Sequence, residues 1–282
     1  MRLSYEFFPP RTEQGQQSLL KVANKLDQFA PDFYSVTYGA GGSTRDGTRD
    51  TVNLLHRGGR SAAPHLSIGE DQPDTIRHML SDFQSDGVQR IVALRGDVPS
   101  GAGGRKRTHN AEDLVRWIRD HSERHFHVEV AAYPEVHPDA TSPADDLAFF
   151  SRKVEAGADS AITQYFYNTH SYNDFLNRCA KAGITIPIYP GIMPITNFDG
   201  IVRFSKNCGA DIPRWVLKHL EAYQHDAASL KAFAVDMVTS LCEDLLHAGA
   251  PGLHFYTLNR WGATNAICKN LNLAERAEQK AS

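Results

Sequence analysis

Cysteine is scarce in this chain: Cys179, Cys208, Cys242 and Cys268 are the only four in 282 residues, and no two form a C-x-x-C pair. That spacing offers neither a zinc site nor a disulfide framework, and it suits a reducing cytoplasm. Long hydrophobic runs are missing too. No stretch approaches the ~18 apolar residues of a membrane span, and Met1-Arg2-Leu3-Ser4-Tyr5-Glu6 meets a carboxylate and then Pro9-Pro10 before any signal-peptide core could form. Neither sign of charge dominates. Lys and Arg number 30 against 33 Asp and Glu, net -3, so no strong attraction to nucleic acid or an anionic membrane is expected and the partner is read as a small molecule. Glycine signatures for phosphate are also absent. Phe7-Phe8-Pro9-Pro10 occupies the place of a G-x-G-x-x-G turn, and Gly101-Ala102-Gly103-Gly104-Arg105-Lys106 lacks P-loop spacing and reads as a loop.

What is present is the composition of an ordinary globular protein, 41% hydrophobic and 22% charged. Short β-rich runs alternate with longer amphipathic ones, the rhythm of βα units around a parallel sheet. Strands are predicted at Leu3 to Phe8, Phe33 to Tyr38, Ala63 to Ser67, Arg90 to Leu94, His127 to Tyr133, Ser160 to Phe166, Ile186 to Pro190 and Leu253 to Leu258. A long helical region, with room for more than one helix, precedes the last of them. Roughly eight units of about 30 residues predict an α/β fold, a (β/α)8 TIM barrel forming a single domain over residues 1–282. An open doubly wound sheet is the competing architecture, and the missing first-turn glycines count against it.

In a barrel, chemistry gathers at the C-terminal ends of the strands. Ser4, Glu6 and Phe8 share one face of the first strand, and the larger apolar set, Leu3, Tyr5 and Phe7, should face the helices. Glu6 is then aimed at the barrel axis, where a partly desolvated carboxylate with a raised pKa would suit a general acid. Arg95 and Asp97 flank Gly96, the smallest residue, so a ligand could approach the backbone there. Tyr133, Glu135 and His137 stand in a proline-bounded loop. Gln164, in the sixth strand, needs partners for its amide, either a ligand edge or neighbouring backbone. Asp146, Arg152 and Lys153 follow on a helix, where a solvated face is the ordinary explanation. His125 and His127 have alternate spacing but lie at the opposite strand end and are read as structural, so no metal site is expected. Arg105, Lys106 and Arg107 are read as a solvated basic loop. Glu6, Thr37, His65, Arg95, Asp97, Tyr133, Gln164 and Arg260 all fall at or just beyond the C-terminal ends of different predicted strands, as a barrel active site requires.

The same segments resemble the 5,10-methylenetetrahydrofolate reductases, flavin enzymes that make 5-methyltetrahydrofolate. The matching stretches are Tyr5-Glu6-Phe7-Phe8-Pro9-Pro10-Arg11, Ser35-Val36-Thr37-Tyr38-Gly39-Ala40, Ala63-Pro64-His65-Leu66, Ile91 to Asp97, Ala131 to Pro138, Ala161-Ile162-Thr163-Gln164, Pro190 to Pro194 and His254 to Arg260. They occur in the right order along nearly the whole chain. The resemblance implies noncovalent FAD over the top face, held by His65, Arg95, Gly96, Asp97, Tyr133, His137, Ala140, Asp146, Arg152 and Lys153, with Thr37 beside the isoalloxazine. Phe204 would stack on whichever of nicotinamide or folate occupies the open flavin face, and Gln164, Asp97 and Arg260 would meet the folate. NADH or NADPH would reduce FAD and leave before methylenetetrahydrofolate enters, a ping-pong order. Glu6 would protonate the 10-nitrogen and Asp97 would make the reduced flavin a better hydride donor. Two positions depart from the family pattern: Gly200 stands where members can carry a folate-contacting Gln, and Asn110 replaces an aromatic near the flavin. The eukaryotic C-terminal regulatory domain has no counterpart here, so inhibition through it is not expected. The residues alone leave two alternatives, a flavin-free barrel lyase or aldolase gripping a phosphate, and a noncatalytic folate- or flavin-binding protein. A homo-oligomer stays open.

Overall fold

Alternation along the first strand sets the architecture. In the computed structural model, which describes residues 1–38, 45–68, 73–96 and 109–274, Leu3, Tyr5 and Phe7 of β1 (Arg2–Phe7) are buried under the helices, and Arg2, Ser4 and Glu6 occupy the other face. The remaining strands are β2 (Phe33–Val36), β3 (Ala62–Ser67), β4 (Arg90–Leu94), β5 (His127–Ala132), β6 (Ser160–Thr163), β7 (Ile188–Tyr189), β8 (Gly191–Ile192) and β9 (Gly252–Tyr256). All pair in parallel, in the order β7-β6-β5-β4-β3-β2-β1-β9-β8. Only Pro190 separates β7 from β8, so the two ends of the sheet are one interrupted strand. The sheet closes, and the predicted eight-stranded barrel is the fold, its seventh strand in two pieces.

Helices cover the outside, several of them started by a side-chain cap. Thr12 caps α1 (Glu13–Leu26) by accepting from the Gly15 N–H, and the helix buries Leu19, Val22, Ala23 and Leu26. Ser142 caps α5 (Pro143–Glu155), whose opening proline occupies a position where no N–H is needed. The long region before β9 resolves into three helices, α7 (Phe198–Cys208), α8 (Arg214–Ala222) and α9 (Ala227–His247). The others are α2 (Arg45–Arg57), α3 (Pro73–Ser85), α4 (Ala111–Ser122), α6 (Thr169–Lys181) and α10 (Gly262–Asn270).

The barrel interior is layered. Phe33, Ala63, Val92, Ile162 and Tyr189 fill its middle. Below them Glu129, fully buried, meets Arg2 at 3.0 Å and bonds Arg90 and Ser160, with His127 Nε2 at 3.4 Å. Burial alone would raise the Glu129 pKa; the hydrogen bond from His127 and the charge of Arg90 outweigh it and hold the group at about 2. Arg2 lies over the Tyr189 ring at 4.4 Å and Arg90 over Phe33 at 4.6 Å, so guanidinium planes seal the N-terminal end. His127 also bonds Ser160 at 2.7 Å, and His125 Nε2 donates to the Val88 carbonyl at 3.0 Å, the structural use expected of both.

Candidate active site

Four adjoining strands bring the central group together. Glu6, on β1 beside Ser35 of β2, has its Oε2 3.4 Å from His65 Nε2 of β3 and 3.9 Å from His254 Nε2 of β9. His254 is buried and shares a 2.7 Å hydrogen bond between its Nδ1 and Ser4 Oγ. The Glu6 side chain is 13% exposed, so it faces the mouth of the barrel with little water around it. His65 Nε2 and Ser35 Oγ are buried without a hydrogen-bond partner among the described residues, an arrangement that favours a ligand or neighbouring group able to bond them. Burial lowers the His65 pKa against the pull of Glu6, and His254 adds to the lowering. His65 is therefore held as a neutral imidazole beside Glu6.

A second group forms at the ends of β4 and β5. Arg95 pairs with Asp139 at 2.7 Å, Asp139 N–H donates to His137 Nδ1 at 2.9 Å, and the Tyr133 and His137 rings meet edge to face at 4.5 Å. The His137 N–H donates to Asp146 at 3.1 Å and the Ala140 N–H to the His137 carbonyl at 2.9 Å. Val136, inside this loop, has φ 71°, an uncommon conformation for a β-branched residue, and Gly96 has φ 83°. Lys153 Nζ donates to the Ala131 carbonyl at 2.5 Å, and burial pushes its pKa down to about 8, with Arg95 adding repulsion and Asp146 opposing it. Arg152 bonds Glu112 at 2.6 Å and lies over the exposed Phe149 ring at 4.2 Å. The two groups converge on Tyr256, whose hydroxyl is pushed up by burial first and then by Glu6 and Tyr133. That hydroxyl donates to the Thr163 carbonyl at 2.7 Å, next to Gln164.

Several expectations need correction in detail. Gln164 is not inside the sixth strand, which ends at Thr163; its Oε1 turns back to accept from the Tyr165 N–H at 3.0 Å. The ladder to β7 ends there because the Tyr256 hydroxyl takes the Thr163 carbonyl and the Gly191 N–H turns to the Thr163 hydroxyl, while Pro190 faces β9, its carbonyl accepting from the His254 N–H at 3.1 Å. The first, second, fifth and eighth strands likewise stop before Phe8, Tyr38, Tyr133 and Leu258. The described partner of Arg95 is Asp139, which the sequence reading did not single out. Asp97 lies outside the described residues, as do Gly39-Ala40-Gly41-Gly42, Thr44 and the cluster Arg105-Lys106-Arg107. Thr37 is tied to β1 through its N–H to the Phe7 carbonyl at 2.9 Å. Phe204 is 39% exposed on α7, and Arg260 is exposed just after β9. Asn110, in place of a family aromatic, begins α4, with Asp113 accepting from its N–H at 2.8 Å. Gly200 donates to its own helix cap, Asn197 Oδ1, at 2.6 Å. Missed by sequence reading were His254, Ser4 and Tyr256. Their signal was available: His254 and Tyr256 alternate on a strand that had to lie beside Ser4 and Glu6 once the barrel closed.

A closed parallel barrel with a shielded carboxylate, two imidazoles and a cationic rim at its C-terminal end defines the class: an α/β-barrel enzyme. The chain matches the methylenetetrahydrofolate reductase family over residues 1–272 and belongs to it. It is 40% identical over 274 residues to the 5,10-methylenetetrahydrofolate reductase of Escherichia coli (strain K12), covering 97% of this chain and 91% of that one. A probable methylenetetrahydrofolate reductase (NADH) of Oryza sativa subsp. japonica is 37% identical over 98% of this chain, which spans 49% of the plant protein. Among solved structures, a Clostridium thermocellum protein that binds two copies of 5-methyl-5,6,7,8-tetrahydrofolic acid superposes with a TM-score of 0.67 at 18% identity, over 99% of this chain and 95% of that one, a likeness of fold.

Proposed function

We propose that the chain catalyses the FAD-dependent reduction of 5,10-methylenetetrahydrofolate to 5-methyltetrahydrofolate, with a reduced nicotinamide as donor and the two substrates taking one face in turn. The observation that carries this reading is Glu6, a shielded carboxylate beside a neutral His65 at the mouth of the barrel. The rim fits the cofactor. Arg95 and Lys153 repel each other, and an arriving diphosphate would relieve that repulsion; Arg95 would exchange its half-exposed bond to Asp139 for one to phosphate. FAD, when bound, supplies a group that accepts hydride from the nicotinamide and releases it to the folate.

The chain's own residues do the rest. Lys153, Arg152, Arg95, Asp146, His137, Ala140, Gly96 and Tyr133 hold FAD, and Thr37 and His65 flank its ring. Gln164, Phe204 and Arg260 receive the folate, and Asp97 contacts both. Glu6 transfers its proton to the 10-nitrogen of the folate; the bond from that nitrogen to the bridging methylene breaks, and the resulting iminium carbon becomes the hydride acceptor. Such a reaction suits a cytoplasmic enzyme, and no helix among the described residues is long and apolar enough to cross a membrane.

Purified protein tests this reading. It should be yellow or take up added FAD, and should oxidise NADH or NADPH when methylenetetrahydrofolate or menadione is supplied. A colourless protein that cannot take up FAD would favour the phosphate-gripping lyase. A protein that binds flavin but never turns over would be a binder only.

A further inference from the structure

The ladder between β1 and β9 stops at the pair Glu6 and Tyr256, yet the seam does not open there. Thr257 Oγ1 donates to the Glu6 carbonyl at 2.6 Å, and Asn259 N–H donates to Thr257 Oγ1 at 3.2 Å. The Asn259 side chain grips Phe8 at both backbone groups, accepting from its N–H at 2.8 Å and donating to its carbonyl at 2.9 Å. Leu258 and Asn259 both take left-handed backbone, with φ 51° and 56°, and that bend lets the amide reach back across the seam. Asparagine tolerates the conformation better than most residues. Pro9 and Pro10 follow Phe8 and carry no N–H, so neither could donate to a further ladder. Across the strand, Thr37 N–H holds the Phe7 carbonyl at 2.9 Å. The backbone under and beyond Glu6 is therefore fixed from both sides.

From this we propose that Asn259, acting through Thr257, is a positioning residue for the proton transfer: it sets the Glu6 carboxyl relative to Arg260, the next residue, whose own N–H is tied to the Thr257 carbonyl at 2.9 Å. The inference rests on the reading of Glu6 as the acid. Its effect belongs to the folate half-reaction alone, because reduction of the flavin needs no proton from Glu6. A clamp that merely supported the fold would affect both half-reactions together.

The test uses FAD-loaded protein in anaerobic stopped flow with three variants. Asn259→Gly removes both side-chain bonds while suiting the left-handed backbone, Thr257→Val removes the hydroxyl at nearly constant volume, and Thr257→Ser restores it. Small displacements of a reacting group cost up to about 100-fold, so Asn259→Gly and Thr257→Val should slow flavin reoxidation by methylenetetrahydrofolate about 10-fold or more. Flavin reduction by NADH should stay within about two-fold, and Thr257→Ser should recover most of the folate rate. Independently of activity, hydrogen exchange at the Phe8 amide should quicken in Asn259→Gly. An unchanged folate rate, or parallel loss of both half-reactions, overturns the inference. Glu6→Gln run alongside separates the two levels: if it too leaves folate reduction intact, the assignment of the acid fails, and not only the clamp.

Discussion

Lys153 holds its ammonium against the Ala131 carbonyl and over the Phe150 ring at 5.4 Å, and burial brings its pKa from 10.5 to about 8. A diphosphate needs the charged form, so FAD affinity should weaken as pH rises through about 8, and Lys153→Met should remove that dependence; flavin fluorescence titrations from pH 7 to 9.5 measure it. Stability of the FAD-free protein should move the other way. The unfolded chain keeps the lysine proton up to about 10.5 while the folded chain releases it from about 8, so the unfolded state binds more protons between these values and stability rises with pH there. A flat affinity profile would remove Lys153 from the diphosphate site. Glu6 and His65 were legible as residues because polar groups at strand ends stand out against β-rich runs. Asp139 was not, since an exposed acid in a turn carries no mark of the arginine it meets from 44 positions away.

At the scale of elements, the number and order of strands followed from the repeat of apolar runs, and their ends did not. Strand pattern continues in the sequence through Phe8, Tyr133 and Phe166, but pairing stops earlier where side chains take the backbone groups: Phe8 gives both of its to Asn259, and Tyr165 gives its N–H to Gln164 Oε1. The break at Pro190 was legible as an end and not as an interruption; only closure of the barrel shows that Gly191 resumes the same strand on the other neighbour. Gly191 is confined there. A Cβ would stand 2.1 Å from the Thr163 carbonyl oxygen and 2.6 Å from the Tyr256 ring, and the first of these is backbone that cannot swing aside. Gly191→Ala should therefore destabilise the protein by about 1–3 kcal/mol, an overpacking cost read from the urea midpoint. A variant as stable as the parent would mean that the seam between β6 and β9 is looser than the bond from Tyr256 to Thr163 implies.

Across the whole molecule, the two ends of the barrel use charge differently. At the floor, Glu129 is satisfied on every side, by Arg2, Arg90, His127 and Ser160, and its low pKa reports completed bonding. At the mouth, Glu6 faces imidazoles at 3.4 and 3.9 Å, beyond ordinary hydrogen-bond length, and His65 Nε2 has no hydrogen-bond partner among the described residues. A completed network holds a fold together; an incomplete one is suited to a substrate that finishes it. The most direct measurement is double-mixing anaerobic stopped flow on Glu6→Gln, first with NADH and then with methylenetetrahydrofolate. Flavin reduction at the parental rate followed by a collapse of folate reduction is the predicted result, and equal loss of both steps, or loss of neither, would contradict it.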